Sequence, residues 1–128
     1  LQINGCFGVD FNARDLHEDD FLLAISRLRE SGTKHFLPTL ITDAEDALVM
    51  KLQKIVSWLE RHQLQHQGCL GIHLEGPYLN PKPGYIGAHP AGFAIPATIE
   101  SARRLIDAAQ GWIRLWTIAP ECDPACRT

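Results

Sequence analysis

The sequence predicts an α/β protein with about four parallel strands and helices between them. Three observations predict it. Short apolar segments alternate with longer stretches whose apolar residues recur at helical spacing, in the order β-α-β-α-β-α-β followed by a short tail. Gly, Pro, Asn and Asp punctuate the joins between them. A long Gly- and Pro-rich loop follows the third strand, and parallel α/β proteins gather chemistry beyond the C-terminal ends of their strands.

Residues 1–5 read as the end of a strand, followed by a Gly/Asn/Asp-containing loop through Asp15. From Glu18 to Glu30, Phe21, Ile25 and Leu28 recur at helical spacing, and Gly32 is the stop. His35 to Leu40 is a short apolar strand containing Pro38, which belongs at a strand end because it has no ladder donor. Asp43 is the expected cap of a second helix with Leu48, Leu52, Ile55 and Leu59 on its buried face. Gln65 to Gly68 is a polar break. Cys69–Glu75 then reads as a strand, and Gly76–Pro96 as the long loop. Thr98 caps a third helix with Ala102, Leu105, Ile106 and Ala109 on one side, and Trp112–Ala119 is a fourth strand. Such alternation calls for right-handed helical crossovers. Four strands fit an open sheet or half of an eight-stranded barrel, and periodicity does not choose between them.

Composition narrows the function. With 128 residues, 45% hydrophobic and 21% charged, the chain fits one folded domain. A net charge of -3 supplies neither a basic stripe for nucleic acid nor a polybasic membrane anchor, so no nucleic-acid or membrane partner is expected. No apolar run is long enough for a membrane-spanning helix. The chain opens inside an apolar stretch without Met or a signal-peptide pattern, so it is expected to be cut from something longer. Cys6, Cys69, Cys122 and Cys126 lack a zinc-ribbon or redox spacing and read as free thiols of a reducing cytoplasm, with thiolate-held zinc as the alternative.

The candidate site begins at Gly71-Ile72-His73-Leu74-Glu75-Gly76-Pro77. Period-two alternation puts Leu70, Ile72 and Leu74 on one side and Gly71, His73 and Glu75 on the other. In a barrel the apolar set would lie under the helices and His73 and Glu75 would point inward. A glutamate at the C-terminal rim of a strand can ligate a divalent metal, act as acid or base, or form an ion pair. His73, one inward position deeper, reads equally as a hydrogen-bonded core histidine and as a site residue.

The segment from Gly71 through Pro81, followed by Gly87-Ala88-His89-Pro90, resembles the signature of N-acetylglucosamine-6-phosphate deacetylases, metal-dependent (β/α)8 enzymes of the amidohydrolase superfamily. Gln2-Ile3-Asn4-Gly5, Gly8-Val9-Asp10-Phe11, Pro38-Thr39-Leu40-Ile41-Thr42 and Thr117-Ile118-Ala119-Pro120-Glu121 agree in order and approximate spacing. The resemblance implies a partial TIM-type barrel, with residues 1–128 as the N-terminal half of the barrel domain. It implies that Glu75 ligates the catalytic metal, that His89 contacts the bound amino-sugar, and that Ala88 lines the same pocket. Gln2 and Asn4 stand where many amidohydrolases carry His-x-His, which implies a single metal. Both amides are expected to line the site, orient water or satisfy backbone groups. The implied cofactor is a divalent ion, zinc first, with iron or manganese as alternatives. Two histidine ligands and a general-base aspartate are expected beyond the fourth strand, so no catalytic base is expected within these residues. The implied partner is a small phosphorylated amino-sugar, the implied assembly a homo-oligomer, and the implied setting the cytoplasm. The alternatives are a non-catalytic sugar-binding or assembly fragment, and an amidohydrolase acting on a cyclic amide.

Overall fold

The computed structural model describes residues 2–123. Its elements are β1 (Gln2–Ile3), β2 (Gly5–Cys6), β3 (Val9–Asp10), α1 (Glu18–Glu30), β4 (Leu37–Ile41), α2 (Glu45–Arg61), β5 (Ile72–Glu75), α3 (Ile99–Ala109) and β6 (Ile113–Thr117). Strands β1, β4, β5 and β6 form one parallel sheet in that order. Each crossover therefore adds its strand on the same side of the one before. A doubly wound sheet reverses direction at a switch point, whereas a barrel winds one way throughout. The four strands wind one way.

With every right-handed crossover running in the same direction, the helices fall on one face of the sheet. That face is the core. Phe21, Ile25 and Leu28 of α1, Leu48, Leu52, Ile55 and Leu59 of α2, and Leu105 of α3 are buried against Leu40, Ile72 and Leu74 of the strands. Deleting one such side chain to alanine costs about 2–5 kcal/mol. Thr98 caps α3 as the sequence predicts, its hydroxyl accepting from the Ser101 N–H at 3.2 Å.

Several local expectations are corrected. Pro38 does not end its strand; it lies inside β4, between β1 and β5. A bulge in β5 accommodates it. Phe36 pairs with Cys69, but Thr39 pairs with His73, so β5 carries one extra residue opposite the missing donor. Gly71 makes the bulge possible, with φ at +143° and a site where a Cβ would collide with the Arg114 side chain and the Trp112 carbonyl. The bulge also resets the alternation. Cys69 is buried and Leu70 is 44% exposed, so the core-facing set is Cys69, Ile72 and Leu74, and the strand starts at Ile72.

Asp43 does not cap α2. The N-cap is Ala44, and the Asp43 carboxylate instead accepts from the Ala44 N–H at 2.7 Å and from Lys51 Nζ at 2.8 Å. Ile106 does not join the α3 core stripe. It is 50% exposed and lines a shallow apolar groove with Tyr78, Trp116 and Ile118 on the outer flank of β6. The first loop holds a two-stranded antiparallel hairpin, β2 with β3, turning at Phe7 and Gly8, both with positive φ. Trp112 and Trp116 are half-buried with indole N–H groups satisfied by Glu60 and the Gly76 carbonyl. Cys6, Cys69 and Cys122 are free thiols; Cys126 lies outside the described residues.

Candidate metal and sugar site

The inner face of the sheet, opposite the helices, carries polar side chains among apolar ones. Register places Thr39, His73 and Leu115 across from one another, and Ile41, Glu75 and Thr117 one level nearer the C-terminal rim. Glu75 ends β5 on the side of His73, because Ile72 and Leu74 are fully buried against the helices.

Gly76 and Pro77 then turn the chain sharply through a cis peptide. Gly76 has φ +90°, and its Cα lies against Thr42, whose hydroxyl donates to the Glu75 carbonyl at 3.2 Å. The Gly76 N–H donates to the Thr117 carbonyl at 2.9 Å, tying the turn to β6. The backbone of Glu75 is thus held from both neighbouring strands, while its carboxylate makes no hydrogen bond to any described residue.

The long loop returns His89 to this carboxylate. His89 Nε2 stands 3.6 Å from Glu75 Oε1, too long for a hydrogen bond and short enough for an ion pair when the ring is charged. His89 Nδ1 is buried without a hydrogen-bond partner among the described residues. Ala88 beside it is exposed. The loop is braced against the segment after β6: the Ala119 N–H donates to the Tyr78 carbonyl at 2.8 Å, Asn80 donates to Glu121 at 3.0 Å, and Tyr78 stacks on Trp116 with centroids 5.4 Å apart. These contacts join the HLEGP and TIAPE segments into one rim.

His73 is deeper, 1% exposed, with Nδ1 3.3 Å from Thr39 Oγ1 and Nε2 2.8 Å from Thr117 Oγ1. Burial holds its pKa below the ordinary histidine value, against the smaller opposing pull of Glu75. Gln2 and Asn4 are exposed, and neither side chain hydrogen-bonds to a described residue. The structure therefore brings Glu75 and His89 together, with His73 one inward position deeper on β5, and gives the two amides no hydrogen bond to any of them.

Three residues that sequence reading missed complete the arrangement. Thr39 and Thr117 flank His73. Asn12 spans the edge of β4 where β1 has ended, accepting from the Ile41 N–H at 2.8 Å and donating to the Thr39 carbonyl at 3.0 Å. Alternation along the PTLIT and TIAPE segments could have flagged the threonines. Nothing local marks Asn12, whose role depends on a strand that stops short.

Glu75 fits a metal as a single ligand: an unbonded carboxylate on a strand rim with an imidazole beside it. Among the described residues no group of three or more His, Cys, Asp or Glu side chains stands close enough to hold an ion.

Fold and site define a class: a singly wound parallel α/β sheet with a carboxylate and an imidazole on its C-terminal rim. No protein-family model matches the sequence. Curated relatives do. The N-acetylglucosamine-6-phosphate deacetylase of Bacillus subtilis (strain 168) is 34% identical over 125 residues, covering 96% of this chain and 31% of that protein. The enzyme of that name from Haemophilus influenzae is 38% identical over 80 residues, 62% of this chain and 20% of that protein. A solved Mycobacterium smegmatis N-acetyl-D-glucosamine-6-phosphate deacetylase, a mutant in complex with N-acetyl-D-glucosamine-6-phosphate, superposes with a TM-score of 0.79 at 28% identity, over 97% of this chain and 30% of that one. The Pasteurella multocida enzyme gives 0.74 at 30% identity, over 98% of this chain and 31% of that one. The chain is a homologue of the N-acetylglucosamine-6-phosphate deacetylases, and it spans about 31% of the length of the Bacillus subtilis relative.

Proposed function

We propose that these residues form the N-terminal half of the catalytic barrel of a metal-dependent N-acetylglucosamine-6-phosphate deacetylase, working in the cytoplasm. The protein would hydrolyse the acetamide of N-acetylglucosamine 6-phosphate, releasing acetate and glucosamine 6-phosphate. The observation that carries the reading is the convergence of Glu75 and His89 at 3.6 Å on the rim of a singly wound sheet, in a chain homologous to these enzymes over nearly all its length.

Glu75 would hold one divalent ion, zinc first and iron or manganese as alternatives, with the remaining ligands and the general base supplied from outside these residues. When bound, such an ion polarises the amide carbonyl and makes water more acidic. The chain's own part is placement. Strands β4 and β6 fix the Glu75 backbone through Thr42 and Thr117, and the braced loop presents His89, whose ring nitrogens are left for a polar ligand such as the amino-sugar. Ala88 and its neighbouring glycine keep that approach free of bulk. The test is acetate release from N-acetylglucosamine 6-phosphate by full-length protein supplied with zinc, iron or manganese. No release with any of the three metals would overturn the reading.

A further inference from the structure

The turn after β5 is tied to the sheet at several points and to the helix layer by a single side chain. On the sheet side, Thr42 and Thr117 hold the backbone of Glu75 and Gly76, and Trp116 Nε1 donates to the Gly76 carbonyl at 2.8 Å. Tyr78 reaches the other way. Its ring stacks on Trp116, and its hydroxyl oxygen lies 2.8 Å from Ser101 Oγ in the first turn of α3. Ser101 Oγ in turn lies 2.6 Å from Glu45 Oε2 in the first turn of α2, and Arg104 donates to Glu45 Oε1 at 2.8 Å. Among the described residues, the phenol makes the only hydrogen bond from residues 75–79 to a helix.

The chemistry of the groups orders these bonds. The Ser101 and Arg104 bonds hold the Glu45 pKa below the ordinary glutamate value, so the carboxylate is ionised at neutral pH and can only accept. Ser101 gives Glu45 its one hydrogen, and toward Tyr78 its oxygen accepts. Burial raises the Tyr78 pKa, so the phenol keeps its hydrogen and donates it. Tyr78 is 2% exposed, and without Ser101 its hydroxyl would be a buried donor lacking an acceptor.

Both site residues hang from the segment that Tyr78 ties down. Glu75 opens the turn, and its carboxylate makes no hydrogen bond to any described residue, so the backbone alone aims it. The loop carrying His89 begins and ends on one atom: the Pro77 carbonyl accepts from the Leu79 N–H at 2.9 Å and from the Ile95 N–H at 3.0 Å. A metal ligand must be held within about 0.5 Å of its productive place.

We infer that Tyr78 is a positioning residue for the rim site, its hydroxyl tethering the turn between Glu75 and the His89 loop to Ser101 and Glu45 at the starts of α3 and α2. The inference rests on the proposed function for the identity of metal and substrate. Tyr78→Phe removes the tether alone, since the ring still stacks on Trp116 and Ser101 stays bonded to Glu45.

Zinc affinity of the full-length protein reads the placement without turnover. It is measured by competition with a chromophoric chelator, at a temperature where every variant is folded. Tyr78→Phe should weaken zinc binding about tenfold, the lower end of the range for losing an outer partner, and lower kcat/KM for N-acetylglucosamine 6-phosphate by a similar factor. Ser101→Ala should act likewise, and the double variant should lose no more than the larger single effect, because both substitutions remove the same bond. A contact that only stabilises the fold would lower the thermal midpoint and leave the zinc affinity of folded protein at the parent level. That result, or additive losses, overturns the inference. Should Ser101→Ala fail to fold, the Tyr78→Phe titration decides alone. A parent that binds zinc but does not turn over the phosphosugar ends the proposed function, while the zinc titration still judges Tyr78. A parent that binds no zinc overturns both.

Discussion

Gly76→Ala tests how the turn after β5 holds the metal-ligand candidate. At φ +90° an alanine is strained by about 1–2 kcal/mol for its backbone alone. Its Cβ would also overlap Thr42 Oγ1, the atom that donates to the Glu75 carbonyl. Thr42 is 2% exposed and branched at Cβ, so rotating the hydroxyl away swings its methyl group into packed surroundings. Losing that hydrogen bond adds about 1 kcal/mol, and the total is about 2–3 kcal/mol. Urea denaturation of the full-length protein reads this as a fall in midpoint at constant slope. A double-mutant cycle isolates the cause. Thr42→Ala alone should cost about 1 kcal/mol, and it removes the obstacle, since the next nearest atoms to the alanine Cβ, Thr42 Cβ and Leu79 Cδ1, lie at 3.3 and 3.4 Å. Gly76→Ala in the Thr42→Ala background should therefore cost little beyond the backbone strain. Gly84→Ala is the control, with φ +88° and no atom near the added carbon. Strictly additive effects at Gly76 and Thr42, or equal costs at Gly76 and Gly84, would refute the steric account.

Glu75→Gln in full-length protein should weaken metal affinity by more than the 10–100-fold typical of losing an outer partner, with turnover falling in parallel; metal analysis showing normal content would remove Glu75 from the ligand set. His89→Ala should weaken phosphosugar binding about tenfold while metal content stays at the parent level, and parent-level kinetics would end its assignment. Glu45 links α2 to α3 by accepting from Ser101 at 2.6 Å and Arg104 at 2.8 Å. These bonds, Ser101's first, hold its pKa below the ordinary glutamate value. A lowered folded-state pKa stabilises the protein above the unfolded value, and that stability is lost as pH falls through the folded one. Glu45→Gln should therefore lower stability at neutral pH and flatten its acid limb, as followed by denaturation midpoints between neutral and acid pH. Finally, β1 and β6 are sheet edges, with Leu115 on β6 and Ile118 just after it each 42% exposed. The isolated 128 residues are expected to self-associate and to show no deacetylase activity; light scattering on the assayed sample would refute this by revealing an active monomer.

Periodicity alone determined the elements that bury a stripe or a face. Phe21, Ile25 and Leu28, and Leu48 through Leu59, lie on helices because their spacing matches a helical turn, and the structure buries them as that spacing requires. The alternation of Ile72 and Leu74 with His73 and Glu75 likewise suffices to put the two polar residues on the face away from the helices. Only the tertiary structure decided that the sheet winds one way, since the direction of each crossover is a relation between strands and leaves no mark on a single segment. The same holds for Pro38, whose missing donor is tolerated because a bulge in the adjacent strand happens to face it. It holds for Leu70, turned outward by that bulge, and for Ile106, exposed because nothing among the described residues packs over it. The site divides along the same line. Glu75, His73 and His89 are legible as chemistry-bearing residues in the sequence. Their distances, and the hydrogen bonds running from Ile3 through Thr39 and His73 to Thr117, depend on four strands coming into register, and register is fixed by packing across the whole sheet.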